Sequence, residues 1–519
     1  MRITKPRNST NSVTGRFARI AGKLKSLFLV LAVFLSTDFQ LFAGDPTAIF
    51  THPGLLNSKA ELDFVKAKIT SGAEPWSSSF TKMKNSNFGN LNWVPKPLSV
   101  VHANWTPTSN DAGIENDDAT AAYTQALLWY FTDNETYAQK SVEILNAWSS
   151  TITSHTSTDL QKQLVAAWCG SVFPLAGEIL RASYPKWTSD EINQFSSMLN
   201  KAFLPLLVSG NPTYNGNWEL SMINALLCIG VFNEDSTTFA QGLFLWRKRV
   251  PAYFYMTTDG TTPIRPYGTT SLNSESAIHN YWVSPYRYFD GLCQETCRDY
   301  GHHMQMGLAS AVNSAEIAFH QGIDLYAEND KRIMAAMEFQ AGPLLGNPVS
   351  KELFPNGFVA SDLLPTWEIA YNHFHNRKGF ALPMTDALIS KSIRPSYFTT
   401  MLNIAWESVT HAELDINITY VESVEVNLGD APLKFGLAHN YPNPFNPTTS
   451  ISYSLPQSSF VTLRVYDVIG KEVATLVSEH QDAGIYKVTF DASQLSTGIY
   501  VYNLSTANSI FCKKMMLIR

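Results

Sequence analysis

Residues 119–148 contain two apolar stretches separated by three polar residues, and they read ATAAYTQALLWYF, TDN and ETYAQKSVEILNAW. The spacing of the apolar residues predicts two consecutive helices, Ala119–Phe131 and Tyr137–Trp148. Because the connection is so short, we expect the two helices to lie side by side as a hairpin. This hairpin is the predicted building unit of the fold.

The same helical pattern continues from about residue 57 to residue 410. Two capping boxes, Ser58-Lys-Ala-Glu61 and Thr188-Ser-Asp-Glu191, each precede apolar residues at helical spacing. The other predicted helices cover 159–182, 191–208, 217–231, 236–250, 302–326, 330–341 and 380–391. A plain α-solenoid is the alternative, but it requires a fixed repeat period that is not seen. We therefore expect a mainly α fold, an α/α toroid made as an incomplete barrel of helical hairpins.

The pattern changes to alternation after about residue 415, and residues 435–519 contain short β-type runs broken by turns. The turn signals include Asn443-Pro444, Ile469-Gly470 and Thr497-Gly498. This segment predicts a small β-sandwich at the C-terminal end. The predicted organisation is a signal peptide at 1–43, the helical domain at 44–414, a linker at 415–434 and the β-sandwich at 435–519.

The first 43 residues hold seven basic residues and one acidic residue, and they include the apolar run at 27–35. A basic segment, a short apolar run and a small residue near Ala43 are typical of a secretory signal peptide. The apolar run is too short for a stable membrane anchor. A buried helix is the alternative interpretation. No later segment is predicted to cross a membrane, so we expect export and no membrane span after signal removal.

Charge and composition limit the possible functions. The chain has 38 Lys plus Arg and 44 Asp plus Glu, a net charge of −6, which argues against a general nucleic-acid binder. No phosphate-binding loop or dinucleotide motif is present, so no cofactor is expected. The five cysteines are an odd number, and buried packing is their favoured role. Zinc is not expected, because a second ligand pair is missing.

The densest polar and aromatic segment is 259–305. Aromatic rings can stack on sugars, while arginine, histidine and amides can bind carboxylates and hydroxyls. Glu295, Arg298 and His302 have the i, i+3, i+7 spacing that would place them on one helix face. A helix-end ion pair between Arg298 and Asp299 is the structural alternative. The candidates in this segment are His279, Tyr281, Arg287, Glu295, Arg298, Tyr300, His302 and His303.

Two further segments supply candidates. Asn217 stands before an apolar helix, where it could be the N-cap or could donate to a carboxylate beside the helix dipole. Trp218 follows it directly. In the third segment Tyr371 is expected on one helix face and His373 on another, although core packing explains part of that segment.

The C-terminal stretch resembles the type A sorting domain of the type IX secretion system. The matching residues are Asn440-Tyr-Pro-Asn-Pro-Phe-Asn-Pro447, Val465-Tyr-Asp467, Gly470-Lys-Glu-Val473, Gly498-Ile-Tyr500 and Lys513-Lys-Met-Met-Leu-Ile-Arg519. The resemblance implies passage across the outer membrane, the secretion machinery as a partner, and a secreted or cell-surface location. An independent carbohydrate-binding sandwich is the competing interpretation.

Residues 50–390 resemble the alginate-lyase superfamily of polysaccharide lyases. The resemblance rests on His52-Pro-Gly-Leu-Leu56, Gly72-Ala-Glu-Pro-Trp76, Tyr137-Ala138 through Trp148, Gly216-Asn-Trp218, Glu295-Thr-Cys-Arg-Asp-Tyr-Gly-His302, Gln321-Gly-Ile-Asp-Leu-Tyr326 and the segment from Glu368 to Arg377. It implies β-elimination on a uronic-acid polymer such as alginate. No redox cofactor or nucleotide is expected, and a metal site at Asp299, His302 and His303 is an alternative without support from the sequence. The expected oligomeric state is a monomer.

The resemblance also implies roles for the candidate residues. Asn217 and Arg298 would neutralise the substrate carboxylate, His302 would be the base, and Tyr300 or His303 would be the acid. The rivals for the base and acid roles are His279, Tyr281 and Tyr371. The chain departs from the better-known pattern at Trp218, where many relatives have histidine, and at positions 304 and 305, which are Met and Gln. The expected substrate-binding residues are Trp218, His279, Tyr281, Glu295, Arg287, Tyr371 and His373.

Two other functions remain open from the sequence. One is a glycoside hydrolase on a similar helical barrel, using two carboxylates such as Glu275 and Glu295. The other is a non-catalytic glycan-binding protein. The segment 44–434 holds 25 basic and 38 acidic residues, so an anionic sugar would have to be recognised locally rather than by long-range attraction.

Overall fold

The computed structural model describes residues 50–104, 110–359, 363–395, 406–414, 436–437, 440, 443–455, 458–482, 484–506 and 510–518. The predicted signal peptide at 1–43 and the predicted linker at 415–434 lie outside these residues. The described part is mainly helical up to residue 414 and consists of strands from residue 436 onward. The predicted order of a mainly α domain followed by a small β domain is therefore confirmed.

The helices of the first half are α1 (Lys59–Thr70), α2 (Trp76–Lys84), α3 (Asp111–Thr132), α4 (Glu135–Thr151), α5 (Gln161–Ser183), α6 (Ser189–Met198), α7 (Leu204–Leu207) and α8 (Gly216–Phe232). The helices of the second half are α9 (Ser236–Arg249), α10 (Glu275–Tyr281), α11 (His302–His320), α12 (Leu325–Glu328), α13 (Asp330–Leu344), α14 (Trp367–Tyr371), α15 (Pro383–Leu388) and α16 (Glu407–Thr410).

Local sequence signals explain where several helices begin and end. Both capping boxes are present, and the Ser58 and Thr188 side chains accept hydrogen bonds from the backbone amides of Glu61 and Glu191. The predicted helix over 191–208 is interrupted by a π-helical turn at Leu199–Phe203. The predicted helix over 302–326 ends at His320, and a separate short helix starts after Asp324, whose side chain caps it.

The helical domain is an α/α toroid in which α3, α5, α8 and α11 pack side by side in sequence order. The predicted hairpin is confirmed as α3 and α4, which pack against each other, and α9 packs against α8 in the same way. All 17 residues of α8 are buried, so this helix lies in the interior of the domain. Since α8 touches both α5 and α11, its N-terminal end is positioned by both neighbours.

The helix α5 has the length and composition that a membrane-spanning helix requires, contrary to the prediction that no segment after the signal peptide has them. Within the domain, 83% of its most apolar window is buried. Such burial is typical of a core helix.

Two sheets form the C-terminal β-sandwich. The strands of the first are β3 (Gly436–Leu437), β4 (Thr448–Leu455) and β7 (Gly484–Asp491), and those of the second are β6 (Glu472–Gln481), β5 (Ser459–Tyr466), β8 (Gly498–Ser505) and β9 (Ile510–Leu517), in spatial order. All pairings in both sheets are antiparallel. Alternate residues such as Ile451, Leu463 and Leu504 are buried in a core of their own. Two short strands in the helical domain, β1 (Val100–His102) and β2 (Ser154–Thr156), pair in parallel.

All five cysteines are free. Cys169, Cys228, Cys293 and Cys297 are buried, which fits the predicted packing role, whereas Cys512 is exposed.

A buried ionic cluster joins the first helix of the toroid to its later helices. Arg377 donates to Glu61 Oε1 at 2.6 Å and to Glu316 Oε1 at 2.8 Å, and His320 Nε2 lies 2.8 Å from Glu61 Oε2. Burial favours the neutral form of Glu61, but His320 and Arg377 outweigh it and hold the pKa of Glu61 well below its usual value. Burial likewise opposes the charged form of His320, and Glu61 nevertheless raises the pKa of His320. The cluster therefore fastens segments more than 250 residues apart.

Replacing Arg377 should strongly destabilise the toroid. The Arg377→Ala change leaves two buried carboxylates without their guanidinium partner, and we expect it to lower the free energy of unfolding by about 3–5 kcal/mol. Lys59→Ala is the matched control, because it removes an exposed ion pair with Asp63 and should cost about 0–1 kcal/mol. Urea unfolding of the purified chain measures both, and equal losses would contradict the proposed role of the cluster.

Candidate active site

A fully buried carboxylate, that of Glu295, lies at the centre of the candidate site. Asn217 Nδ2 donates to Oε1 at 2.6 Å and to Oε2 at 2.8 Å, and the Asn217 backbone amide donates at 3.0 Å. The Tyr253 hydroxyl donates at 3.0 Å, and Arg298 Nη1 lies 2.5 Å from Oε1. Charge-assisted hydrogen bonds of this kind are strong and directional. Glu295 therefore holds Asn217 and Arg298, two residues predicted to act together, on one carboxylate.

Tyr253 fills the space between the starts of α8 and α11, where two glycines make room for it. A Cβ at Gly216 would lie 2.1 Å from Tyr253 Cδ2, and a Cβ at Gly307 would lie 2.2 Å from the Tyr253 hydroxyl oxygen. Both distances are far below van der Waals contact. Burial, reinforced by the charge of Glu295, raises the pKa of Tyr253 well above its usual value. Tyr253 is thus a buried hydrogen-bond donor that helps to hold the Glu295 carboxylate in place.

The predicted helix face shared by Glu295, Arg298 and His302 is wrong. Residues 294–298 lie in turns, and α11 begins only at His302. The Asp299 carboxylate accepts from the backbone amides of Gly301 and His302 at 3.0 Å each, and Gly301 has a φ of +98°. A side-chain acceptor followed by a residue with positive φ sets the helix start here. Arg298 still reaches Glu295, through the turn rather than along a helix.

Asn217 is not the N-cap of α8, because the helix begins one residue earlier, at Gly216, with Asn215 at the cap position. The Asn217 side chain is instead directed to Glu295 and is only 1% exposed. Trp218 is also buried, and its ring centroid lies 4.3 Å from that of the partly exposed Tyr214.

Asp299 and His303 form a hydrogen-bonded pair in the first turn of α11, between Asp299 Oδ2 and His303 Nδ1. Burial favours the neutral form of Asp299, but the hydrogen bond with His303 and the two backbone amides lower its pKa. An ionised Asp299 keeps the proton of His303 on Nδ1, which leaves the lone pair on Nε2. The alternative ion pair between Arg298 and Asp299 is therefore not formed: Arg298 pairs with Glu295 instead.

The groups that are open to solvent cluster at the start of α11. The side chain of Arg298 is 31% exposed, that of His303 is 28% exposed, and Tyr300 is 43% exposed. The His302 ring lies 5.4 Å from the His303 ring and 6.2 Å from the Tyr300 ring, measured between centroids. A substrate approaching this surface would meet a cation, two imidazoles and a phenol.

Tyr281 joins the same region through hydrogen bonds. Its hydroxyl accepts from Arg249 at 3.0 Å and donates to the Tyr214 carbonyl at 2.7 Å, while Gln294 donates to the Tyr281 carbonyl at 2.5 Å. Burial raises the pKa of Tyr281. Arg249 is itself buried and lies 2.5 Å from Glu219.

His279 and Arg287 contact aromatic side chains. His279 Nδ1 lies 3.1 Å from the Tyr288 hydroxyl, in which burial raises the pKa to about 12. Arg287 is exposed and lies over the rings of Tyr286 and Phe289. Both residues belong to the segment that precedes the site.

His373 is not brought to this cluster, and Tyr371 is hydrogen-bonded to a residue of another helix. The Tyr371 hydroxyl donates to Asp386 at 2.8 Å. His373 is buried, stacks on Tyr326 at 4.1 Å and packs against Phe319. Phe319 lies 17 residues beyond His302 on the same helix, a distance of about 25 Å. Burial lowers the pKa of His373 to about 2, so this ring is a neutral part of the core.

Sequence reasoning missed Tyr253, Gln294, Arg249 and Glu219. Arg249 and Glu219 carried a signal, since each is a charged residue at the edge of an apolar-periodic helix. Gln305 occupies one of the positions at which the sequence departs from the better-known pattern. It is buried, donates to the Gly301 carbonyl at 3.1 Å and accepts from the Leu364 amide at 3.0 Å, which supports the start of α11.

One His and carboxylate cluster in the described part of the chain has a geometry that could suit a metal ion: Glu61, Glu316 and His320. Arg377 already donates to both of its carboxylates. This cluster is therefore explained as an ionic network without a metal.

Comparison with known families supports the sequence resemblances. Residues 104–264 match the family model described as alginate lyase, and residues 439–518 match the model described as secretion system C-terminal sorting domain. The first match includes the start of α8 and ends before Glu295. No curated protein sequence matches the chain.

Several solved structures of one alginate lyase are similar to the chain. Alginate lyase A1-III from Sphingomonas species A1 is 16% identical, with a TM-score of 0.46, over 62% of this chain and 88% of that chain. A histidine-to-alanine variant of the same lyase complexed with tetrasaccharide is 17% identical, with a TM-score of 0.47, over 66% and 92%. A tyrosine-to-phenylalanine variant with tetrasaccharide is 17% identical, with a TM-score of 0.48, over 65% and 92%.

The alginate lyase family segment in the toroid indicates a polysaccharide lyase. The chain also carries a secretion sorting domain at its C-terminal end, and the two matches confirm both predicted resemblances. The sorting domain makes it a secreted or cell-surface protein that acts outside the cell.

Enlarging Gly307 should disable the site. A Cβ at this position meets the Tyr253 hydroxyl, so Gly307→Ala must displace Tyr253 from Glu295. We expect lyase activity to fall by at least about tenfold, with a loss of stability of about 1–3 kcal/mol from overpacking. Gly342→Ala is the matched helical control, because its nearest neighbour would be at 3.5 Å. Similar activity in the two variants would contradict the role of Tyr253.

Proposed function

We propose that this protein cleaves a uronic-acid-containing polymer, such as alginate, by β-elimination at the start of α11. The observation that carries the proposal is the Asp299–His303 pair beside Arg298, a partly exposed cation that buried Glu295 holds in place. The alginate lyase family segment supports the reaction class.

Arg298 would neutralise the substrate carboxylate. The proton at C5 of a uronate is only weakly acidic until the neighbouring carboxylate is stabilised, and preorganised charge is usually the largest contribution to such a step. Arg298 Nη1 is bound to Glu295, and its guanidinium has further donors for a carboxylate. The burial of Asn217 supports a positioning role, in which it orients Glu295 and thereby Arg298, rather than direct contact with the sugar.

His303 is the base in this proposal, rather than His302, the base that the sequence resemblance implies. Asp299 holds His303 with Nε2 free to take a proton, as in other histidines that a carboxylate orients. In the reaction the C5–H bond breaks and its proton moves to Nε2. A double bond forms between C4 and C5 as the C4–O4 bond breaks, and the departing O4 takes a proton from an acid. Tyr300 is the proposed acid because it is the most exposed donor beside the pair, and His302 is the rival for either role.

Tyr214 and the remaining predicted substrate-binding residues form a proposed sugar-binding wall. Tyr214 is 39% exposed and stands on buried Trp218, so its ring could stack on a pyranose face. Tyr281, His279 and Arg287 would extend this wall. The Glu295 carboxylate cannot act as the acid of a hydrolase, because it is buried and accepts from Asn217, Tyr253 and Arg298. The alternative function, a glycoside hydrolase that uses Glu275 and Glu295 as its two carboxylates, therefore lacks one of the two.

The products of a polyuronate panel test this function. Incubation with mannuronate, guluronate and glucuronate polymers should produce ultraviolet-absorbing, unsaturated sugar ends from at least one of them. By mass, the two fragments should sum to the parent chain, because elimination adds no water. Fragments that together gain one water would indicate a hydrolase, and retention of the polymer without shortening would indicate a glycan-binding protein. Either result would overturn the proposal.

A further inference from the structure

The sorting domain exposes a cluster of large apolar side chains at one end of its four-stranded sheet. Val468 and Ile469, in the turn after β5, are 72% and 84% exposed, and Ile499 and Met516 are 44% and 42% exposed. We propose that these four residues, here called the export surface, are the face by which the folded sorting domain docks on the secretion machinery. The partner would offer an apolar patch flanked by acidic groups.

Strand register places the four residues together. Ile499 on β8 lies directly opposite Met516 on β9, and Val501 lies opposite Tyr466, the last residue of β5. Residues two apart along a strand share a face, so Ile499, Val501, Tyr466 and Met516 lie on the same side of the sheet. The turn that carries Val468 and Ile469 follows Tyr466 directly and thus borders Ile499.

This face is the outer side of the sheet rather than an extension of the core. The alternating residues Tyr500, Tyr502 and Leu504 of β8 are buried in the sandwich. The turn itself is ordered, because Asp467 accepts from the backbone amides of Ile469 and Lys471 at 3.0 and 2.9 Å. An ordered turn that holds two apolar side chains in water is expected where they will meet a partner.

Charge beside the export surface indicates the kind of partner. Lys514 lies opposite Val501 on the same face, and Lys471 follows the turn, and both are exposed. Two lysines next to an apolar patch favour an acidic rim on the partner. The match to a secretion sorting domain covers all of these residues, which is why we commit to the secretion machinery rather than to a second copy of the chain.

Export of the full chain from a bacterium with type IX secretion tests the proposal. Ile469→Asp is the main variant, because an 84% exposed turn residue contributes little to folding. We expect the exported fraction to fall by at least about tenfold, as for a residue at the centre of an interface, while the retained chain keeps its unfolding midpoint. Ile469→Ser, which adds no charge, should reduce export in the same direction.

Phe460→Asp is the matched control. Phe460 is 46% exposed and lies at the far end of β5, on the same outer side of the sheet. Its variant should be exported like the unchanged chain. Normal export of both Ile469 variants would overturn the proposal, and so would an equal loss in the Phe460 variant. Self-association of the purified chain that disappears in Ile469→Asp, with export unchanged, would instead assign the surface to contact between copies.

Discussion

The structure of the site depends on the burial of one carboxylate, that of Glu295. A buried charge is tolerated only when hydrogen bonds and an opposite charge satisfy it, and here Asn217, Tyr253 and Arg298 do so. These partners come from the start of α8, from the segment after α9 and from the turn before α11. Satisfying one carboxylate therefore brings three distant segments together, and it leaves Arg298 pointing outward as a fixed cation.

That constraint explains how an acidic protein could act on the anionic polymer that we propose as its substrate. The segment 44–434 is strongly acidic, so its overall field does not attract a polyuronate. The recognition that we propose is therefore local, at the start of α11, where Arg298 is held by Glu295 and His303 is held by Asp299. Each exposed group thus has a more deeply buried carboxylate that fixes its orientation, an arrangement suited to preorganised catalysis.

Much of the fold could be predicted from sequence because its signals are local. Capping boxes, apolar periodicity and turn residues gave the hairpin of α3 and α4, the start of α6 and the strands of the sandwich. The i, i+3, i+7 spacing of Glu295, Arg298 and His302 wrongly predicted a shared helix face. The helix starts only at His302, because the Asp299 side chain and the positive φ of Gly301 set its first residue there.

The residues that the sequence analysis missed are far along the chain from the residues that they contact. Tyr253 is 42 positions from Glu295, and Gln294 contacts Gly216 over 78 positions. No spacing rule links such pairs. The same holds for Tyr371 and His373, whose residue types suit a sugar site but whose packing places them in the core near other helices.

The most direct test of the Asp299–His303 pair is a double-mutant cycle on kcat, with Asp299→Asn, His303→Ala and the double variant. His303→Ala should lower kcat by about 10²–10⁴-fold. The double variant should be no slower, because asparagine at position 299 still offers an oxygen to the Gly301 and His302 amides, and the lost charge affects catalysis through His303. His302→Ala, the adjacent control, should lose less. Fully additive losses, or a larger loss in His302→Ala than in His303→Ala, would contradict the assignment of His303 as the base.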